Sequence, residues 1–152
     1  MAAIAPGVYQ IQNVATTKAM EIPDGSTTDS TNVVGMAIRA LSDTKMPFQL
    51  FLLNQVAPDT FTMMNARSGT FLDLNNSGAT DGTAIIGFHK TGGSNQKWVV
   101  QPTADGKAFV IKSQATNTFA TLVNDEEAPV QGFAGIGQAT TDVRQRWTFV
   151  RS

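Results

Sequence analysis

Three stretches of the chain can be laid over one another: GVYQIQNVATTKAMEI, DTFTMMNARSGTFLDL and KAFVIKSQATNTFATL. Each opens as an alternation of apolar and polar residues, turns through small or polar residues, and returns as a second short strand-like run. Each then crosses a loop rich in Gly, Asp, Asn, Ser or Thr to a third apolar patch: NVVGMAI, TAIIGFH and APVQGFA. A fourth run closes each unit at FQLFLL, QKWVVQ and RQRWTFV. The period is about 50 residues, the length at which a repeat is one supersecondary unit unable to bury its own apolar face alone.

Short alternating runs between turn signals, with no sustained helical periodicity, predict an all-β chain. Four strands in each of three units predict twelve strands. A propeller blade also has four strands, but three blades would leave sheet edges open. A barrel closed by threefold repetition, with hairpins capping it, removes the edges. That architecture is the β-trefoil, with pseudo-threefold repeats at approximately 7–54, 59–102 and 107–152. At 152 residues with nothing resembling a linker, the chain is read as one domain over 1–152.

The units end in a common motif, Gln96-Lys97-Trp98 and Gln145-Arg146-Trp147, with Gln49-Leu50-Phe51 in the first. Trp98, Trp147 and Phe51 are expected to fill the core beneath each unit, while the glutamine amides satisfy nearby backbone groups. This Gln-x-Trp pattern resembles the ricin B-type family of β-trefoil lectins, and the resemblance spans essentially the whole chain. By itself the motif marks a fold and not an activity.

Function is expected where the units diverge. Equivalent positions hold Glu21, Asp73 and Thr121 on the second strands, Met36, Phe88 and Phe133 on the third, and Phe48, Asn95 and Arg144 before the shared glutamine. Only the middle unit combines carboxylate, aromatic ring and amide. A carboxylate accepts short, charge-assisted hydrogen bonds from neighbouring hydroxyls, and an amide beside it can donate and accept. The resemblance implies the carboxylate role for Asp73, the aromatic platform for Phe88 and the amide for Asn95, with Gln96 supporting and His89 and Lys90 beside the platform. It further implies galactose or N-acetylgalactosamine-containing glycans as partners, no catalytic activity, a fungal defence protein of the mushroom branch, and a homodimer to supply multivalency. Departures from the family pattern are Ile86 where a glutamine is common and Phe88 where a tryptophan is. The sites of the first and third units are expected to be inactive or altered. Simpler roles compete at each position: Asp73 could cap the turn Asn75-Asn76-Ser77-Gly78, Asn95 could close its own loop, and His89, the chain's one histidine, could be a solvated loop residue.

The formal net charge of -1 and a charged fraction of 15% offer no basic stripe for nucleic acid and no polybasic patch for membranes. No run approaches the ~18 apolar residues of a membrane span, so no membrane insertion is expected. The start of the chain has no basic or apolar leader, so the expectation is a cytoplasmic protein, with secretion by a route lacking a signal peptide left open. There is no cysteine, which removes disulfides, thiolate zinc sites and thiol nucleophiles. With no nucleophile elbow or P-loop either, the chain is not read as an enzyme, and no cofactor or metal is implied. Asp73, Asn75, Ser77 and Gly78 approach a calcium loop, but Ala84 stands where its last glutamate belongs. Glu126 and Glu127 read as a solvated acidic turn, and the sequon at Asn75 as idle. The alternative function is protease inhibition. Mushroom trefoils similar in size and strand pattern use an exposed loop for it, and Arg39, Lys45, Arg67 and Lys90 lie in or near loops here.

Overall fold

The apolar–polar alternation and the turn residues between runs produce strands throughout the computed structural model, which describes residues 3–123, 128–134 and 143–152. Glu126 and Glu127 lie outside the described residues. The first repeat contributes β1 (Gly7–Asn13), β2 (Lys18–Glu21), β3 (Thr31–Asn32), β4 (Val34–Ala37) and β5 (Leu50–Ala57). The second contributes β6 (Thr60–Asn65), β7 (Phe71–Leu74), β8 (Thr83–Phe88) and β9 (Trp98–Pro102). The third contributes β10 (Phe109–Ser113), β11 (Phe119–Thr121), β12 (Ala128–Pro129), β13 (Gln131–Phe133) and β14 (Trp147–Arg151).

First and fourth strands pair in a closed circuit. β1 pairs with β5, β5 with β6, β6 with β9, β9 with β10, β10 with β14, and β14 returns to β1. Closure abolishes free edges, which is why short strands suffice. The second and third strands form hairpins over one end of this barrel. The described residues form fourteen strand segments where twelve were expected, because the third strands of the outer repeats are interrupted at Val33 and Val130. At those residues the backbone leaves its own hairpin to bond across the threefold axis. The Val33 N–H donates to the Ile85 carbonyl (3.0 Å), Ile85 to Val130 (3.0 Å), and Val130 back to Val33 (2.8 Å). β8 stays continuous but changes partner at the same place, from β13 at Thr83 and Ala84 to β3 at Ile86 and Gly87.

The core is built in equivalent triplets, including Ile11, Met63 and Ile111 and the motif aromatics Phe51, Trp98 and Trp147, all essentially sealed from solvent. Each indole also donates from Nε1 to a second-strand carbonyl, Trp98 to Leu72 and Trp147 to Ala120, both at 3.0 Å. A buried indole N–H needs such a partner; Phe51 has none to satisfy. Among the described residues no helix is long and apolar enough to cross a membrane.

Candidate functional site

β7 and β8 pair with Phe71 opposite Phe88 and Asp73 opposite Ile86. Because side chains alternate along a strand, Phe71, Asp73, Ile86 and Phe88 share one face, while Leu72, Leu74 and Ile85 turn into the core. The carboxylate and the ring singled out in the sequence therefore stand on the outer face of the same hairpin. Residues Ser94–Gln96 form a one-turn 3-10 segment just before β9. A Cβ at Gly93 would lie 2.7 Å from Asn95 Oδ1, so glycine lets the chain run close to this amide.

These elements meet at Asp73, which is only 3% exposed. Asn95 Nδ2 donates to its Oδ1 (3.0 Å) and Gln96 Nε2 to its Oδ2 (2.9 Å). Asn95 Nδ2 also reaches the Leu74 carbonyl (3.2 Å). Gln96 Nε2 donates to the His89 carbonyl (2.8 Å), and its Oε1 accepts from the Thr91 N–H (3.0 Å), fixing the chain that follows β8. The carboxylate is thus tied to residues about one strand pair away, not to the turn at Asn75, and Asn95 does not close its own loop. Burial pushes the Asp73 carboxyl above the ordinary carboxylate value, an effect opposed by the Gln96 and Asn95 amides; the Asp29 charge adds to it and His89 offsets it.

Beside this cluster the Phe88 and His89 rings stack with centroids 4.4 Å apart and planes at 31°. Lys90 leans back, its Nζ 6.0 Å from the centre of the Phe71 ring. His89 is exposed but not merely solvated. Its backbone N–H donates to Asp29 Oδ1 (2.8 Å) and its Nδ1 lies 2.6 Å from Asp29 Oδ2. Sequence reasoning missed Asp29, which comes from the first repeat. The available signal was the recurrence of Thr28-Asp29-Ser30-Thr31 as Thr80-Asp81-Gly82-Thr83. Asp81 Oδ1 caps the Ala134 N–H (2.8 Å) in the way that Asp29 caps His89. The six predicted residues and Asp29 thus cluster together, Asp73 and Gln96 buried and the other five partly or fully exposed, and no enclosed pocket is present among the described residues.

The outer repeats spend the same positions differently. Glu21, 2% exposed, accepts from Arg39 Nε (2.8 Å) and Gln49 Nε2 (3.1 Å), so a cation of the protein itself covers the first carboxylate. Arg39 also reaches Asp43 (3.3 Å) and lies 5.9 Å over the Phe48 ring. Considered as an inhibitory loop residue, Arg39 is instead 21% exposed and committed to these partners. In the third repeat Thr121 Oγ1 donates to the Phe119 carbonyl (2.9 Å) and accepts from Gln145 Nε2 (3.2 Å). In every repeat, then, the motif glutamine joins the second-strand position to the backbone at the end of the third strand, at Ala37, His89 and Ala134. Among the described residues no cluster of His, Asp and Glu could hold a metal ion.

A family model described as ricin-type beta-trefoil lectin domain-like matches residues 2–88 and again 47–133, each match taking in about two repeats. No curated protein matches the chain significantly. Among solved structures, a lectin of Polyporus squamosus, bound to the epitope Neu5Aca2-6Galb1-4GlcNAc, is 34% identical with a TM-score of 0.79. That match covers 97% of this chain and 50% of the Polyporus chain, so this chain spans half its length. The designed threefold-symmetric protein ThreeFoil is 22% identical, with a TM-score of 0.84 and coverages of 96% and 99%. A ricin B-like lectin of Macrolepiota procera, in complex with lactose, is 20% identical, with a TM-score of 0.77 over the whole of both chains. The last two likenesses speak to the fold.

Proposed function

Because the chain belongs to the ricin-type β-trefoil lectin domain-like family, we propose that it is a non-catalytic lectin for galactose- or N-acetylgalactosamine-containing glycans, binding mainly through its middle repeat. The observation that carries this reading is the bonding of Asp73 to Asn95 and Gln96 beside the Phe88 ring, an arrangement the other two repeats replace with an internal ion pair or a threonine. Each Asp73 oxygen holds one amide hydrogen bond and keeps acceptor capacity for a sugar hydroxyl. Asn95, partly exposed, adds its side-chain carbonyl as an acceptor, both of its amide hydrogens being held by Asp73 and Leu74. The half-buried Phe88 offers an apolar surface to the C–H face of a pyranose. The solved structures with a sialylated galactoside and with lactose support the ligand class by analogy.

A shallow patch with a few hydrogen bonds and one ring predicts monosaccharide affinity on the order of millimolar, about 4 kcal/mol. Pairing two chains in a homodimer would raise avidity through effective concentration with no new contact to the sugar. The test is a glycan array of the wild-type protein beside Asp73→Asn and Phe88→Ala, with matched thermal unfolding. Binding of galactosides by wild type, and at least about tenfold weaker binding by both variants, a loss of about 1.4 kcal/mol, is expected. Undiminished binding by the variants refutes the site. Absence of any glycan binding refutes the function and makes a protease panel the next assay.

A further inference from the structure

The Asp29 contact joins two repeats at the edge of the proposed site, and its two halves have different meanings. The bond from the His89 N–H to Oδ1 is a fold device, because Asp81 makes the same bond to Ala134 at the same length, 2.8 Å. The contact between Oδ2 and the imidazole has no counterpart there, since alanine has no ring. It holds a side chain that is 64% exposed, and so otherwise free to rotate, within 2.6 Å of a carboxylate and stacked on Phe88.

We infer that Asp29 is a positioning residue for the middle-repeat site: it fixes the His89 imidazole over Phe88 with the proton on Nδ1, presenting Nε2 as a hydrogen-bond acceptor for a sugar hydroxyl. The inference rests on the lectin reading above. A carboxylate can only accept, so in the neutral ring the nitrogen facing it carries the proton and the other keeps a lone pair. The hydrogen bond from His89 holds the Asp29 carboxyl below its ordinary value, in keeping with an ionised acceptor. Nε2 has no hydrogen-bond partner among the described residues. A hydroxyl-bearing ligand bound at the Asp73 cluster beside the stacked Phe88 and His89 rings would have this exposed acceptor at the edge of its site. An acceptor at that point selects for a hydroxyl and against a group that can only accept.

The chain's single histidine makes the test unambiguous, because every imidazole nitrogen signal belongs to His89. Nitrogen-15 spectra of the imidazole at about pH 8, where a free histidine is neutral, are recorded for wild type and Asp29→Asn, with lactose affinity measured on both. The asparagine keeps a carbonyl for the His89 N–H but can turn its amide hydrogens toward Nδ1. Expected are the Nδ1–H form in wild type, a shift toward Nε2–H in D29N, unchanged thermal unfolding, and about tenfold weaker lactose binding. Asp81→Ala serves as the control for losing a cap alone. It should lower the unfolding temperature and leave lactose affinity unchanged. Retention of the Nδ1–H form in D29N, or undiminished lactose affinity after the tautomer has shifted, overturns the role of Asp29 and leaves the lectin reading intact. A wild-type protein that binds neither lactose nor any arrayed galactoside overturns the lectin reading itself, and this inference falls with it.

Discussion

Gln96→Ala should cost about 4 kcal/mol of stability near neutral pH, and Gln145→Ala about 2, although both remove the same side chain from the same place in the repeat. Both glutamines are 1% exposed, so the space left behind is common to the two variants. The difference lies in what each amide holds. Gln145 Nε2 donates to Thr121 Oγ1 and the Ala134 carbonyl, two neutral bonds at 3.2 and 3.4 Å, worth about 1 kcal/mol each. Gln96 joins the His89 carbonyl and the Thr91 N–H and, in addition, a buried carboxylate at 2.9 Å, a bond worth about 1.5–3 kcal/mol. The pH dependence isolates that charge. The folded Asp73 carboxyl titrates above its ordinary value of 3.8, and Gln96 is the main group restraining it. Between 3.8 and the raised folded value, the folded state binds more protons than the unfolded one, so stability rises as pH falls through that window. Removing Gln96 widens the window. The Gln96→Ala deficit relative to wild type should therefore shrink between about pH 7 and about pH 4. Thr121 does not titrate in that range, so the Gln145→Ala deficit should stay flat. Urea unfolding of the three proteins at both pH values decides it. Equal losses at neutral pH, or a gap between the variants that ignores pH, would refute the assignment of Gln96 as the donor that makes a buried Asp73 tolerable.

Three further substitutions test the packing between repeats and the backbone of the hairpin turns. A Cβ at Gly35 would lie 2.4 and 2.9 Å from the methyl carbons of the fully buried Leu122, so Gly35→Ala should cost about 2 kcal/mol and lower Tm by about 6 °C in calorimetry. Gly69→Ala, at φ +72° with nothing within 4 Å of its Cβ, should lose only the backbone penalty of about 1 kcal/mol. Thr17 has φ 55° at the hairpin position where the other repeats place Gly69 and Asn117, so Thr17→Asn should raise stability by about 0.5–1 kcal/mol in the same experiment.

The architecture was legible because it is written three times. Period-two alternation recurs in each unit, and the glutamine and aromatic of the closing motif are core residues wherever they occur, as their burial shows. The break in the third strands was not legible. NVVGMAI and TAIIGFH have the same apolar pattern and Val33 and Ile85 make equivalent bonds across the axis, yet one strand is interrupted and the other continuous; the difference lies in long-range pairing, β8 taking β13 on one side of Ile85 and β3 on the other. At the site, local turn chemistry competed with long-range pairing for Asp73 and Asn95. The pairing won because a carboxylate 3% exposed needs donors that its own turn did not provide. The same need explains Arg39, which in the sequence was one of four basic residues in or near loops and in the structure serves the buried Glu21. Asp29 was hidden by distance, 60 residues from the histidine it holds, although its loop recurs around Asp81.

The circuit of bonds through Val33, Ile85 and Val130 has no first member. Each repeat gives one hydrogen to the next and takes one from the one before, so a fragment of two repeats, however well packed, strands a donor and an acceptor inside an apolar core. The covalent order of the repeats matters less than their number. With β1 and β14 already side by side, at Tyr9 opposite Arg151, the chain could be opened at a hairpin turn and rejoined there with the circuit intact. By the same logic a single repeat can complete the circuit only as three separate copies, each playing every part once, which makes the trio and not the unit the smallest thing here that can fold.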